Sequence, residues 1–383
     1  MKSKLLILIS FIGLCQLTIA ENKLSIIQSK SKIVSIKDGP FLRKDYWHIS
    51  PETKPDVFVT FNKKVTFYTD TDSISVKVDA KKDTVDFIIL LNGKDSALTR
   101  VKYHRPYIEI LRNAGKYNTA DNRFIPHFTY QLATDSNLLK IRQQWKLDSI
   151  AGDGNEVSKI INLMYWVHNV VRHDGNSFNP KLRNATDLIN ICKTENRGIN
   201  CRMMATILNE CYLAMGFQSR FVTCMPRETK FDDCHVINMV YSKDLQKWIW
   251  MDPTFEAYVM DENGTLLGIE EVRERLISNK PLILNPDANW NRKESQTKAE
   301  YLYNYMAKNL YRIKCMSESR YNAETNINSN FKEFVYVELL PLDGIEQTPQ
   351  KQEEQKNNSK YSEYKTNNFA LFWAKPETLN IKQ

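Results

Sequence analysis

At 383 residues the chain is too long for one small core, and two domains with a C-terminal extension are the expected organisation. Hydrophobic residues at 42% and charged residues at 26% exclude a disordered chain. The formal charge of +8 is modest for this length and well mixed, and no basic run is interleaved with aromatics, which argues against a nucleic-acid partner.

The first twenty residues stand apart. Lys2 and Lys4 precede the apolar run Leu5 to Leu14, and Thr18-Ile19-Ala20 follows. That order is a charged start, an apolar centre and a small-residue cleavage site. The run is short for a bilayer span. A signal peptide over residues 1–20 is therefore expected, cleaved near Ala20 to give an exported periplasmic or extracellular protein. The competing reading is a retained anchor. No later stretch reads as transmembrane.

Residues 21–134 carry short alternating runs: DVFVTF from Asp56, KVTFYTD from Lys64, SISVKVDA from Ser73, VDFIILL from Val85 and ALTRVKYH from Ala97. Polar and glycine-containing turns such as Asn92-Gly93 separate them. The pattern predicts an antiparallel β domain, sandwich-like, serving packing or substrate binding. His48, His104 and His127 are isolated and carry no constellation.

Helical spacing begins near Asp135. Val157, Ile160, Ile161, Met164, Val167, His168 and Val171 form one broad apolar stripe. His173-Asp174-Gly175 ends it. Neighbouring residues on a turn rarely point together, so His173 reads as a turn residue. Trp166, off the stripe, is read as packing. Asn184 to Cys192 predicts a short helix, and Gly198 lies in the polar loop after it.

The best-defined element starts at Cys201. Cys201, Met204, Ala205, Leu208, Cys211, Tyr212 and Met215 share a helical face, with Asn200 as N-cap and Gly216 as C-cap. A thiol in the first helical turn sits among unpaired N–H groups, which favour thiolate. Alone, Cys201 could equally be the first buried residue of the stripe. Two later residues decide between the readings. His235 opens the strand pattern HVINMVY, and Asp252 ends WIWMD. Antiparallel pairing of these runs brings the two residues together. Thiol, imidazole and carboxylate then make a nucleophile, a base and an orienting group.

Besides Cys201, the mature chain keeps Cys192, Cys211, Cys224, Cys234 and Cys315. Cys224 and Cys234 flank a charged loop and are the expected disulfide, if one forms. A zinc site from Cys224, Cys234 and His235 lacks paired ligand spacing. No cofactor or metal is expected.

The stretch Gly198-Ile199-Asn200-Cys201, the run Gly216 to Val222, His235-Val236 and Trp250-Met251-Asp252-Pro253-Thr254 resemble the transglutaminase-like superfamily, in its exported bacterial type. The resemblance covers roughly Glu156 to Glu256. It implies an α+β fold with a papain-like core, in which a helix bearing the cysteine packs on an antiparallel sheet. It also implies catalytic roles for Cys201, His235 and Asp252. Asn200 departs from the family's usual neighbour of the nucleophile. Residues 135–340 are assigned to this core.

Residues 341–383 read as a low-complexity loop rich in Gln, Glu, Lys, Asn and Ser, followed by a last strand near Asn368 to Trp373. The implied function is a cysteine-dependent amide-bond enzyme, either peptidase/amidase or acyl transferase, working through a thioester. Its partner would be a peptide, protein or cell-wall peptide substrate. The alternatives are a catalytically silent binding module at the cell surface and a papain-type peptidase, against which Asp252 argues. The sequence says nothing of oligomeric state.

Overall fold

The computed structural model describes residues 24–229, 233–325, 331–341, 350–356 and 358–376. The expected signal peptide lies outside the described residues. No helix among those described is long and apolar enough to cross a membrane. The chain divides into two compact units, the first closing at Arg105 and the second opening at Pro106. The expected boundary near residue 134 therefore falls earlier. Within the second unit, Tyr107, Tyr117, Phe128 and Tyr130 of the segment 106–134 pack against that unit's core.

The first unit holds β1 (Ser25–Ser29), β2 (Ile33–Asp38), β3 (Phe41–His48), β4 (Asp56–Thr60), β5 (Lys64–Tyr68), β6 (Ser73–Lys77), β7 (Thr84–Leu91) and β8 (Asp95–Tyr103). They form two four-stranded sheets, β1-β7-β8-β4 and β3-β2-β5-β6. Most pairs are antiparallel, but β1 with β7 and β4 with β8 run parallel. Alternation puts Phe58, Phe67 and Phe87 inward, where their rings meet edge-on at 5.4 and 5.1 Å.

The second unit begins with α1 (Tyr107–Arg112), β9 (Thr129–Tyr130), α2 (Ser136–Gln144), α3 (Leu147–Ala151), α4 (Glu156–Val170), α5 (Ala185–Thr194) and α6 (Cys201–Ala214). Then come β10 (Ser219–Met225), β11 (His235–Ser242) and β12 (Lys247–Met251). A seven-stranded sheet runs β12-β11-β10 and continues through Arg312–Met316, Lys332–Leu339, Ser359–Thr366 and Lys351–Lys356. Val240, Ile249 and Met251 face the α2–α6 layer, while Ile237, Met239 and Trp250 face helix Ile269–Ile277 and the segment from Ala299. With both faces covered, β10 and β11 are buried at every residue.

α6 differs from the one-faced stripe that its spacing predicts. Every residue from Met203 to Ala214 is buried, so the helix is enclosed on all sides. Its polar residues are correspondingly bonded. Glu210 accepts the N–H groups of Ala185 and Asn322, each at 2.8 Å, and Asn209 donates to Ser319 Oγ at 2.9 Å. Asn200 caps the start by accepting from Met203 N at 3.1 Å, and Gly216 takes the left-handed turn after the end at φ +85°.

Two C-terminal expectations are corrected. The polar stretch expected to be a loop supplies strands Lys351–Lys356 and Ser359–Thr366, the latter parallel to Lys332–Leu339. Backbone pairing overrides weak propensity there, and the exposed charges of Lys351–Lys356 suit a sheet edge. The expected last strand is instead the helical turn Phe369–Phe372, because Asn368 Oδ1 accepts from Leu371 N at 3.2 Å and caps it.

Candidate active site

The α6 N-terminus, the start of β11 and the residue after β12 meet at one end of the sheet. β11 and β12 pair from Ser242↔Lys247 to Asn238↔Met251, which brings His235 and Asp252 to the open end of the hairpin. His235 Nε2 lies 2.7 Å from Asp252 Oδ2, and both side chains are buried. With Nε2 engaged, the other side of the His235 ring is available to the neighbouring Cys201 thiol. The three expected residues are thus brought together.

A second histidine also bonds the Cys201 thiol. His173, read from sequence as a turn residue, is half-buried beside it. Trp290 Nε1 donates to His173 Nδ1 at 3.0 Å. An indole N–H only donates, so Nδ1 is the acceptor and the neutral ring carries its proton on Nε2. That leaves Nε2–H for the sulfur. The His173 backbone is clamped on both sides. Its N–H donates to Asn291 Oδ1 at 2.7 Å and its C=O accepts from Asn291 Nδ2 at 2.9 Å. A parallel bridge joins it to Ile199.

Gly198 makes that bridge possible. A Cβ there would lie 2.5 Å from Asp174 Cβ and 2.9 Å from Arg172 O. The loop glycine therefore admits the chain's own 172–174 segment. Nothing in the sequence ties His173 to Trp290 across more than a hundred residues, and that pairing was not foreseeable from spacing.

Burial of Cys201 favours the neutral thiol. It is outweighed by the hydrogen bonds from His173 and His235, the charge on His235 and the Val236 N–H, which together bring the thiol down to about 6. Burial of His235 likewise disfavours its charge. The Asp252 carboxylate and the bond to Cys201 outweigh that and hold the imidazolium up to about 10. A thiolate–imidazolium pair is the stable form between those values.

The other expectations resolve as follows. Cys224 and Cys234 are free thiols, as are the other described cysteines, so the expected bridge is not formed. Strand register sets Cys224 opposite His235, leaving Cys234 beyond the paired residues. Burial drives the Cys224 thiol well above its usual range. Trp166 packs against Trp145, the ring centres 6.0 Å apart, and makes no site contact. His168 is buried and bonded to Pro253 O at 2.9 Å and Asn289 Oδ1 at 3.0 Å, tying the turn after Asp252 to the segment carrying Trp290.

Residues 143–253, which include His173, Cys201, His235 and Asp252, match the family model described as the transglutaminase-like superfamily. This segment is similar to a transglutaminase-like core. No curated protein matches the chain. Among solved structures the chain is similar to a candidate cysteine protease from Cytophaga hutchinsonii, at 20% identity and a TM-score of 0.26. The match covers 41% of this chain and 51% of that one, so the chain spans about half of that protein's length. The matched segment joins helices to a sheet in an α+β arrangement, with Cys201 at a helix start.

Proposed function

We propose that the protein is a cysteine-dependent amide-bond enzyme acting through a thioester. The observation that carries this reading is His235 Nε2 held 2.7 Å from Asp252 Oδ2 with the Cys201 thiol beside the same ring. The Cys201 thiolate attacks the amide carbonyl carbon, forming a C–S bond. The carbonyl oxygen takes the electron pair. His235 then gives its proton to the amine nitrogen, the C–N bond breaks, and the acyl group remains on sulfur as a thioester. Water or a second amine, deprotonated by neutral His235, releases the acyl group and restores the thiolate. Water as acceptor makes a peptidase or amidase; an amine makes an acyl transferase. Asp252 holds the ring throughout. His173 Nε2–H and the first N–H groups of α6 are donors beside the reacting sulfur.

The proposed substrate class is a peptide, protein or cell-wall peptide, met outside the cytoplasm after removal of residues 1–20. The test replaces Cys201 and His235 by Ala separately and assays peptide, glutamine-amide and muropeptide substrates. Loss of turnover in both variants supports the reading. Turnover that survives either change removes it. A thiol that reacts only after unfolding would favour a silent binding module.

A further inference from the structure

Asp252 is fully buried, and four donors hold its carboxylate. Oδ1 accepts from the N–H groups of Thr254 at 2.9 Å and Phe255 at 3.3 Å, within its own turn. Oδ2 accepts from His235 Nε2 at 2.7 Å and from the Tyr301 hydroxyl at 2.6 Å. Tyr301 is also fully buried. Its oxygen accepts from Trp250 Nε1 at 3.1 Å. Since the indole can only donate, the phenolic proton is directed at Asp252. The chain of donors therefore has one direction, from Trp250 through Tyr301 to the carboxylate.

Tyr301 comes from a separate element. Ala299–Met306 winds as a π-helix, a rare form that recurs at functional sites. One turn on, the Tyr305 ring meets His235 edge-on at 5.3 Å, and Phe255 fills the space between His235 and Tyr301 at 5.5 and 5.2 Å. The family match ends at residue 253, so this segment lies outside it.

We propose that Tyr301 is a positioning residue of the Cys201–His235–Asp252 site, its hydroxyl fixing the carboxylate and keeping the shared proton on His235. The proposal rests on the reading of that site given above. A donor on Oδ2 draws negative charge from the very oxygen that faces His235, making that oxygen a weaker base toward the imidazolium proton. Without the hydroxyl, a buried charged oxygen is short of one donor. The carboxylate then takes the proton or turns about Cβ–Cγ. Either way His235 loses its charge and Cys201 loses the partner of its thiolate. Burial and the Asp252 charge keep the phenol itself protonated, far above its ordinary range.

The test follows iodoacetamide alkylation of Cys201 against pH in the full chain, by peptide mass mapping. Tyr301→Phe keeps the ring and is expected to raise the apparent thiol pKa by about one unit, slowing alkylation near pH 6 about fivefold. Trp250→Phe keeps the hydroxyl but frees its proton, and moves the profile the same way by less. Tyr303→Phe, a hydroxyl lost from the same helix, leaves the profile in place, and thermal unfolding checks that each variant is folded. A Tyr301→Phe profile that superimposes on the wild type overturns the proposal while leaving the site reading intact. A wild-type thiol titrating near the free-cysteine value removes the site reading, and the role of Tyr301 with it.

Discussion

Trp290 Nε1 donates to His173 Nδ1 across 3.0 Å, and that one bond decides which nitrogen of His173 faces Cys201. Trp290→Phe removes the donor and lets the ring adopt its other tautomer. The expected outcome is an upward move of the Cys201 titration, smaller than that of His173→Ala, which removes the donor to sulfur altogether. Alkylation rates across pH check both. If the two variants match wild type, His173 has no part in stabilising the thiolate.

The pH dependence follows from the signs of the two shifts. The thiol is held at about 6, so thiolate accumulates as pH rises through that value. Alkylation should climb there and level off while His235 stays protonated, up to about 10. His235→Ala removes the counter-charge and returns the thiol toward its ordinary value of about 8.5. Alkylation near pH 6.5 should then fall by roughly one to two orders of magnitude. Stopped-flow or quench measurements over pH 4–10 separate the two profiles.

Asp252→Asn keeps the side-chain shape but removes its charge. Its amide accepts on one side only, so the NH2 must meet either the Thr254 and Phe255 N–H groups or His235 and Tyr301, and the histidine loses the charge that holds its tautomer. Turnover should fall by about 10² or more, as loss of an orienting carboxylate does elsewhere. Steady-state rates on the best substrate from the panel test this. A drop confined to KM would assign Asp252 to substrate binding.

Gly198→Ala forces the 172–174 segment outward, because the new Cβ would meet backbone and Asp174 Cβ well inside contact distance. His173 moves with that segment. The expected signature is a raised Cys201 titration in a protein that still unfolds cooperatively. Circular dichroism with alkylation kinetics distinguishes this from general unfolding.

The parts of the site legible in the sequence were those set by local rules. Asn200 and Gly216 bracket α6 because capping chemistry is short-range. His235 and Asp252 meet because a hairpin relates its two ends simply. His173, Trp290 and Tyr301 were not legible, since each reaches the site through pairing distant in sequence. His173 was set aside on a sound local argument about turn residues, which the bridge to Ile199 overrides. In the same way, a polar stretch became the strand Ser359–Thr366 because a neighbouring strand offered it a full ladder of partners. The Cys224–Cys234 bridge failed on register, a property that cysteine spacing does not encode.

Arg220 sits in the inner strand β10, 2% exposed, with its guanidinium over the rings of Phe128, Trp248, Phe372 and Trp373. Its Nη2 donates to Phe372 O at 2.6 Å. The Arg220 cation is therefore sealed from water in part by Phe372 and Trp373, which lie at the helical turn Phe369–Phe372 and the residue after it. A chain ending at Asn367 should accordingly unfold at lower denaturant concentration, although every residue of the Cys201 site is present in it.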